Sequence, residues 1–282
     1  MHELKVDPEP AAESPPAKRG KAIVITSGKG GVGKTTTTAN LGTALAHRGA
    51  RVALVDADVG LRNLDIVLGL ESRVRYHVLD VLEEKVELQE ALVHDKHSEN
   101  LFLLAAAQSR EKDDVDTEAM RELIEELCEQ FDYVLIDCPA GIEKGFTNAV
   151  VGADEAIVVC TPEVSAVRDV DRVVGLLGNK FRPQLIINRV RPLLVQKGKM
   201  LSVEDVNSIL RLPLLGVIAD EPDVIISTNK GEPVALRADS KTGAAYRAIA
   251  ARVAGENVPA PTVELEAQGF MAKLGSFFGG RR

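Results

Sequence analysis

Short apolar segments alternate with longer amphipathic segments along the chain. The apolar segments carry Val, Ile and Leu at both alternating positions, which is typical of strands that helices cover on both faces. They predict strands over residues 22–26, 51–56, 101–105, 133–137, 156–160, 185–188 and 214–218. The segments between them predict helices, most clearly over residues 35–47, 117–130, 166–177 and 244–253. This repeated strand–helix order predicts an α/β fold, with a doubly wound, mostly parallel sheet and helices on both faces.

Composition narrows the class of protein. The 282 residues suffice for one large domain or at most two, and 45% hydrophobic with 27% charged residues is typical of a globular protein. Trp is absent, aromatic residues make up 4% and the net charge is -8, so nucleic acid is not an expected partner. No apolar run approaches the ~18 residues of a membrane span. The three cysteines have no C-x-x-C spacing, which predicts buried free thiols in a reducing cytoplasm.

The two ends of the chain differ in composition from its middle. Residues 1–20 contain four prolines and no apolar signal-peptide core, and they predict a disordered extension. A single large domain is expected over residues 21–255. Residues 256–268 hold two prolines and three glutamates and predict a linker. Residues 269–282 then form a separate tail.

One segment carries the strongest chemical signal. It follows the first predicted strand, precedes the first predicted helix and matches the pattern G-x-x-x-x-G-K-[ST]. Its residues are Gly28, Lys29, Gly30, Gly31, Val32, Gly33, Lys34 and Thr35. Glycines let backbone N–H groups face a phosphate, and the helix N-terminus adds partial positive charge. The pattern therefore predicts that Lys34 reaches the β- and γ-phosphates of a nucleotide and that Thr35 holds Mg²⁺.

Lys29 is an unusual residue for such a loop, because Lys34 already serves the phosphates. One interpretation is a solvated lysine. The other is a cation that reaches the nucleotide of a second subunit, as an arginine finger does. The spacing leaves both open.

Three aspartates stand at the ends of predicted strands. Asp56 and Asp58 close the second strand, and Asp137 closes the fourth. Ligands bind at the carboxyl ends of strands in open α/β sheets, so these side chains are candidates for holding Mg²⁺ or orienting a water molecule. Carboxylates at strand ends also cap turns. Two such strand ends beside a phosphate loop favour the functional interpretation.

The segment from Lys29 to Thr36 resembles the deviant Walker A motif of one P-loop ATPase family. That family contains the MinD proteins, the ParA partition ATPases and the nitrogenase iron protein. Three further segments resemble its MinD branch: DADVGLRNLD over residues 56–65, DCPAGIE over 137–143 and TPEVSAVRDVDR over 161–172. The similarity extends from about residue 21 to the end of the chain.

The resemblance implies a slow, partner-stimulated ATPase with ATP and Mg²⁺ as cofactors. ATP then drives a homodimer in which Lys29 contacts the phosphates of the partner subunit, which decides between the two interpretations of that lysine. Lys29, Lys34 and Asp58 would take part in catalysis, with Asp58 positioning the attacking water. Thr35, Asp56 and Asp137 would serve the metal. Asn188 and Arg189 fall where the family contacts adenine, although Ala219 replaces a frequent proline near that pocket.

The tail carries apolar residues that one face of a helix would present together, namely Phe270, Met271, Leu274, Phe277 and Phe278. Lys273, Arg281 and Arg282 surround them. The pattern fits a helix docked on its own domain as well as one lying in an anionic membrane interface. The acidic linker and the resemblance favour the membrane, and they imply a cytoplasmic protein held peripherally on the inner membrane.

The favoured hypothesis is a switch that binds membrane as an ATP dimer and recruits a MinC-type division inhibitor, with a MinE-type or other topological factor as a further partner. A ParA-type DNA partition ATPase is the alternative from another class, but it requires a basic surface. A MinD-like flagellar-number regulator shares the tail. A cluster-carrying ATPase requires cysteines that bridge a dimer, and neither Cys138 nor Cys160 is placed for that.

Overall fold

The structure, a computed structural model, describes residues 19–60, 62–108, 115–142 and 144–263. Its strands are β1 Lys21–Thr26, β2 Val52–Asp56, β3 Val93–His94, β4 Leu101–Leu104, β5 Tyr133–Asp137, β6 Glu155–Cys160, β7 Gln184–Val190 and β8 Leu214–Ala219. Its α-helices are α1 Lys34–Ala46, α2 Leu64–Leu68, α3 Val78–Leu82, α4 Leu88–Ala91, α5 Thr117–Gln130, α6 Lys144–Val150, α7 Val164–Leu177, α8 Pro192–Gln196, α9 Val203–Leu210, α10 Pro222–Asn229 and α11 Lys241–Val253.

The eight strands form one sheet in the order β3-β4-β2-β5-β1-β6-β7-β8. All neighbours pair in parallel except β3, which pairs antiparallel with β4 at one edge. This confirms the predicted α/β class. The carboxyl ends of the parallel strands share one edge of the sheet, and β1 lies between β5 and β6 at its centre.

Two apolar cores explain why the strands carry hydrophobic residues at every position. One core includes Leu41 of α1 and Ile249 of α11 on one face of the sheet. The other includes Ile124 of α5 and Val170 of α7 on the opposite face. Burying a large aliphatic side chain contributes ~1.5–3 kcal/mol, so both faces of each central strand add to stability. The unbroken apolar strands of the sequence follow from this double coverage.

All seven predicted strands and the four predicted long helices are present. The structure adds β3, which has two residues, and several helices of four to eight residues that were not predicted. Helix α7 begins at Val164, two residues before its predicted start. Among the described residues, no helix is long and apolar enough to cross a bilayer.

The described part of the chain extends slightly beyond both predicted limits of the domain. Gly20 donates its N–H to the carbonyl of Cys128, and the Arg19 guanidinium lies 2.8 Å from a carboxylate oxygen of Asp154. Residues 256–263 also contact the domain, through an ion pair between Glu256 and Arg48 and a backbone hydrogen bond between Pro261 and Val217. Residues 1–18 of the extension predicted over 1–20, and the predicted tail over 269–282 with its five apolar residues, lie outside the described residues. The domain boundaries therefore stay predictions.

Candidate nucleotide-binding site

The phosphate loop connects β1 to α1 at the centre of the sheet. Gly31 and Gly33 adopt φ values of 75° and 101°, a left-handed conformation that glycine tolerates best. Gly33 is the N-cap of α1 and supplies no side-chain hydrogen bond to the helix. The first N–H groups of α1 therefore remain available to an anion, as the sequence pattern requires.

Lys34 is positioned by a hydrogen bond to a hydroxyl and lies near the carboxyl group of Asp137. Its side chain is 7% exposed, and its ammonium donates a hydrogen bond to the Ser27 hydroxyl over 3.1 Å. The Ser27 hydroxyl in turn donates to the carbonyl of Lys29 over 2.7 Å. A buried ammonium whose hydrogen-bond acceptor is a hydroxyl favours a further anion nearby, which agrees with a role in phosphate binding.

The carboxylates of Asp56 and Asp137 face each other at the carboxyl edge of the sheet. Asp56 of β2 and Asp137 of β5 are direct partners in the pairing of these two parallel strands. Both side chains are at most 2% exposed. Asp56 accepts backbone N–H groups from Asp58 at 3.0 Å and from Asn63 and Leu64 at 3.2 Å. It therefore organises the loop after β2 around one buried carboxylate.

Asp137 contacts the helix that follows the phosphate loop. Its carboxylate accepts a hydrogen bond from the Thr38 hydroxyl over 3.3 Å, and the nearby Thr35 hydroxyl lowers its pKa. Thr38 was not identified from the sequence, although it follows Thr35 by about one helical turn and thus lies on the same face of α1. This spacing was a usable signal.

Because the carboxyl groups of Asp56 and Asp137 are both buried and close together, they do not readily carry negative charge at the same time. Desolvation raises the pKa of Asp137 to about 8, aided by the charge of Asp56 and opposed by the Thr35 hydroxyl and Lys34. Desolvation also raises the pKa of Asp56 to about 6, against its backbone hydrogen bonds. A divalent cation would offset this repulsion, and two carboxylates with a hydroxyl are hard oxygen ligands suited to Mg²⁺. The residues therefore fit the metal that the sequence predicts, and Thr35, Asp56 and Asp137 would hold it.

Lys29 lies on the outer side of the loop and contacts the start of α7. Its ammonium is 3.8 Å from a carboxylate oxygen of Glu163 and 3.5 Å from the Ser165 hydroxyl. Both members of the ion pair are about half exposed, so the contact is weak and reversible. Lys29 and Lys34 thus belong to two different surroundings, one exposed and one buried.

The loop that carries Asp58 is fixed by an ion pair that the sequence did not reveal. Arg62 donates from its Nε to Asp65 over 2.6 Å and from a terminal nitrogen to the carbonyl of Glu71 over 3.2 Å. Asp65 is 1% exposed, and Arg62 has a φ of 35°. The Asp58 carbonyl accepts the N–H of Arg62 over 3.4 Å. The position of Asp58 therefore depends on a buried charge pair and a strained residue.

Asn188 and Arg189 lie near the carboxyl end of β7, where Asn188 contacts the phosphate loop. The Asn188 amide donates to the carbonyl of Val32 over 2.8 Å, and a Cβ on Gly33 would lie 2.3 Å from its nitrogen. Arg189 is exposed and has a φ of 57°. The structure thus gives Asn188 a contact with the loop itself, while the role of both residues in adenine binding stays a prediction.

The phosphate loop also requires glycine at its first position. A Cβ on Gly28 would lie 2.2 Å from the carbonyl carbon of Asp169 in α7. The sequence motif explains glycine there by backbone conformation, whereas the structure adds close packing against a helix. The thiols of Cys128, Cys138 and Cys160 are free and buried, as predicted.

Comparisons with known proteins agree with this geometry. A family model described as an AAA domain matches residues 20–186. The septum site-determining protein MinD of Bacillus subtilis (strain 168) is 52% identical over 266 residues, which cover 93% of this chain and 99% of that protein.

Two solved structures share the fold. A chain of the MinC:MinD cell division protein complex from Aquifex aeolicus superposes with a TM-score of 0.81 at 47% identity, over 87% of this chain and 100% of that one. The septum site-determining protein MinD complexed with Mg-ADP from Pyrococcus horikoshii OT3 superposes with a TM-score of 0.75 at 33% identity, over 83% and 96%. The chain therefore belongs to the AAA domain family and, within it, to the septum site-determining MinD proteins.

Proposed function

We propose that this protein is an ATP-dependent switch that places the division septum. It dimerises with ATP bound, holds to the inner membrane by its C-terminal tail, recruits a division inhibitor and is released when ATP is hydrolysed. One observation carries the proposal: a phosphate loop with a second, exposed lysine lies beside two apposed buried carboxylates in a member of the MinD family.

ATP is the substrate and Mg²⁺ the cofactor, as expected for a relative of a protein solved with Mg-ADP. Lys34 and the N–H groups at the start of α1 bind the phosphate oxygens and stabilise the charge that develops on them. Thr35, Asp56 and Asp137 would hold the metal, which would supply charge neutralisation at the phosphates. Asp58, on the loop that Asp56 and the Arg62–Asp65 pair organise, orients the attacking water.

Dimerisation completes the site. Lys29 is the residue free to serve a second subunit, because its contact with Glu163 is long and half exposed. In the ATP dimer it exchanges this contact for the phosphates of the partner, where a cation stabilises the transition state. A single subunit therefore turns over slowly.

Membrane binding by one tail is marginal. Large apolar side chains give ~1.5–3 kcal/mol each on full burial, which interfacial burial does not reach, and ordering a helix costs ~1–2 kcal/mol per residue. Basic residues add ~1 kcal/mol each at an anionic surface. A second tail on the same dimer raises the avidity by a factor of ~10²–10⁴, so the nucleotide state controls membrane residence.

The relative from Aquifex aeolicus was solved as a MinC:MinD complex. We therefore extend the proposal to a MinC-type inhibitor as a partner of the ATP dimer, and to a MinE-type or other topological factor that stimulates hydrolysis. Residues 163–172, on the same side of the phosphate loop as Lys29, are the segment that we assign to these partners.

Sedimentation with anionic vesicles tests the switch. An Asp58→Ala variant, which keeps ATP bound, should sediment at least tenfold better in ATP than in ADP. The same variant without residues 269–282 is the matched control and should stay in the supernatant in both nucleotides. Equal sedimentation of the full-length variant in ATP and ADP would refute the coupling, and binding of DNA in its place would support the partition alternative.

A further inference from the structure

The chain beyond α11 remains attached to the domain for several residues. Arg252, in the last turn of α11, donates to the carbonyl of Val258 over 2.6 Å and to the carbonyl of Leu214 over 3.2 Å. Glu256 forms an ion pair with Arg48, in the turn after α1. The segment over residues 256–263, here called the strap, thus begins with two polar contacts to separate parts of the fold.

The strap follows β8 in the parallel direction. One guanidinium binds both Leu214 and Val258, so these two carbonyls are neighbours at the amino end of β8. Three residues further along each segment, the N–H of Val217 donates to the carbonyl of Pro261 over 3.0 Å. Strap and strand therefore advance together toward the carboxyl edge of the sheet, where the phosphate loop lies.

Apolar packing secures the strap against the edge strand. A Cβ on Gly216 would lie 2.6 Å from Ile249 of α11 and 2.8 Å from the Pro261 ring, so these two side chains share the space that a side chain at 216 would take. Val263 packs against the core that includes Val206 of α9. The strap therefore passes from α11 on one face of the sheet to the core on the other face, and it covers part of the edge strand β8.

We propose that the strap sets the point at which the C-terminal tail leaves the domain, beside β8 on the way to the nucleotide edge of the sheet, and so decides which side of the molecule faces a lipid surface. The inference rests on the proposed membrane-binding function. The tether between domain and tail is then residues 264–268 alone, and not the whole segment over 256–268.

Tether length has a measurable consequence for a dimer with two tails. Once a flexible tether is longer than the span between its two sites, effective concentration falls roughly as the -3/2 power of its length. Releasing the strap lengthens the tether from five to thirteen residues. The affinity of the second tail for the membrane should then fall by about fourfold.

The strap can be released by removing its polar anchors. The double variant Arg252→Met with Glu256→Gln keeps the apolar stem of the arginine but loses both carbonyl contacts and the ion pair. The matched control is Arg247→Met on the same helix, whose arginine binds the carbonyls of Ala235 and Arg237 and does not touch the strap. Thermal unfolding verifies that each variant folds.

Two readouts are taken on the full chain carrying Asp58→Ala. Hydrogen exchange reports whether the Val217 amide is protected, and vesicle titration in ATP reports membrane affinity. The double variant should lose protection at Val217 and bind vesicles about fourfold more weakly, whereas the control should match the parent. Inserting eight Gly/Ser residues after Leu265 should weaken binding equally while Val217 stays protected.

Rapid exchange at Val217 in the parent protein would overturn the proposal, and so would undiminished vesicle affinity in both the released and the lengthened chains. If the parent did not bind vesicles in ATP at all, the proposed function would fail instead. The exchange at Val217 would still decide whether the strap exists.

Discussion

At the scale of single residues, the site depends on charges held out of water. Lys34 is buried with a hydroxyl as its hydrogen-bond acceptor, and Asp56 and Asp137 are buried facing each other. Each arrangement is costly in the protein alone, and each is relieved by a magnesium–nucleotide complex, which brings anions to the lysine and a cation to the carboxylates. The buried charges therefore destabilise the nucleotide-free site, and binding of the magnesium–nucleotide complex removes that cost.

The raised pKa values predict how the stability of the nucleotide-free protein depends on pH. The ordinary pKa of aspartate is 3.8, and that of Asp137 in the folded protein is about 8, so the folded state binds more protons between these values. Stability should therefore fall as the pH rises from about 4 to about 8. The isosteric Asp137→Asn variant has no carboxyl group to ionise at this position. Its Tm should therefore exceed that of the parent by a larger margin at about pH 9 than at about pH 5.

Thermal scans in EDTA without nucleotide measure this effect. Glu155→Gln, at an exposed ion pair on the opposite edge of the sheet, is the matched control and should leave the pH profile of the parent unchanged. A gain for Asp137→Asn that is the same at both pH values would show that the carboxyl titrates normally.

The sequence revealed the reactive residues better than it revealed their supports. Lys34, Thr35 and the three aspartates stand in short local patterns or at strand ends, which the chain displays directly. The Lys29–Glu163 and Arg62–Asp65 pairs had no such signal. The first joins residues 134 positions apart, and only the strand order places them together; the second depends on a backbone conformation that a non-glycine residue rarely adopts.

At the scale of secondary-structure elements, the phosphate loop depends on two glycines for different reasons. Gly28 allows α7 to approach, and Gly33 combines a left-handed backbone with close contact to Asn188. The loop is thereby held between β7 and α7, and its shape does not depend on a ligand alone. Preorganised N–H groups bind phosphate without the cost of ordering a mobile loop.

Gly33→Ala should therefore weaken nucleotide binding. Left-handed backbone costs a non-glycine residue about 1–2 kcal/mol, and here the new Cβ also meets the Asn188 amide 2.3 Å away. We expect at least a tenfold loss of ATP affinity in fluorescence titration. Gly49→Ala is the matched control, because Gly49 has a φ of 91° with nothing within 4 Å. Gly49→Ala should lower stability similarly and bind ATP normally, and equal ATP affinity in both variants would contradict this account.

Elements were predictable in proportion to their length and burial. The strands with apolar residues on both faces stood out, and so did helices of ten or more residues with a continuous amphipathic pattern. Strand β3 consists of two residues with an exposed histidine, so it gives no alternation to detect. Helices α2, α3 and α4 span four or five residues, too few for a helical period, and tertiary packing alone stabilises them.

At the scale of the whole molecule, the proposed function couples the nucleotide to the membrane. In that proposal ATP pairs two subunits, and two tails bind a lipid surface more tightly than one does. Lys29 is the residue on which this coupling depends, because it is a cation at the phosphate loop with an exposed and weakly held ammonium.

Lys29→Ala should therefore remain monomeric in ATP while still binding the nucleotide through Lys34. Its ATP turnover should fall by about 10³-fold or more relative to the parent dimer, as expected for loss of a cation supplied in trans. Lys21→Ala is the matched control, since Lys21 lies at the other end of β1 and pairs with Glu155 over 2.8 Å. That control should dimerise and hydrolyse ATP as the parent does.

Sedimentation velocity of the full chain carrying Asp58→Ala, without lipid, tests the central claim most directly. The account predicts the mass of one chain in ADP and twice that mass in ATP, with Lys29→Ala in the same background staying at one chain in both. A single-chain mass in saturating ATP, with the nucleotide shown to be bound, would contradict it.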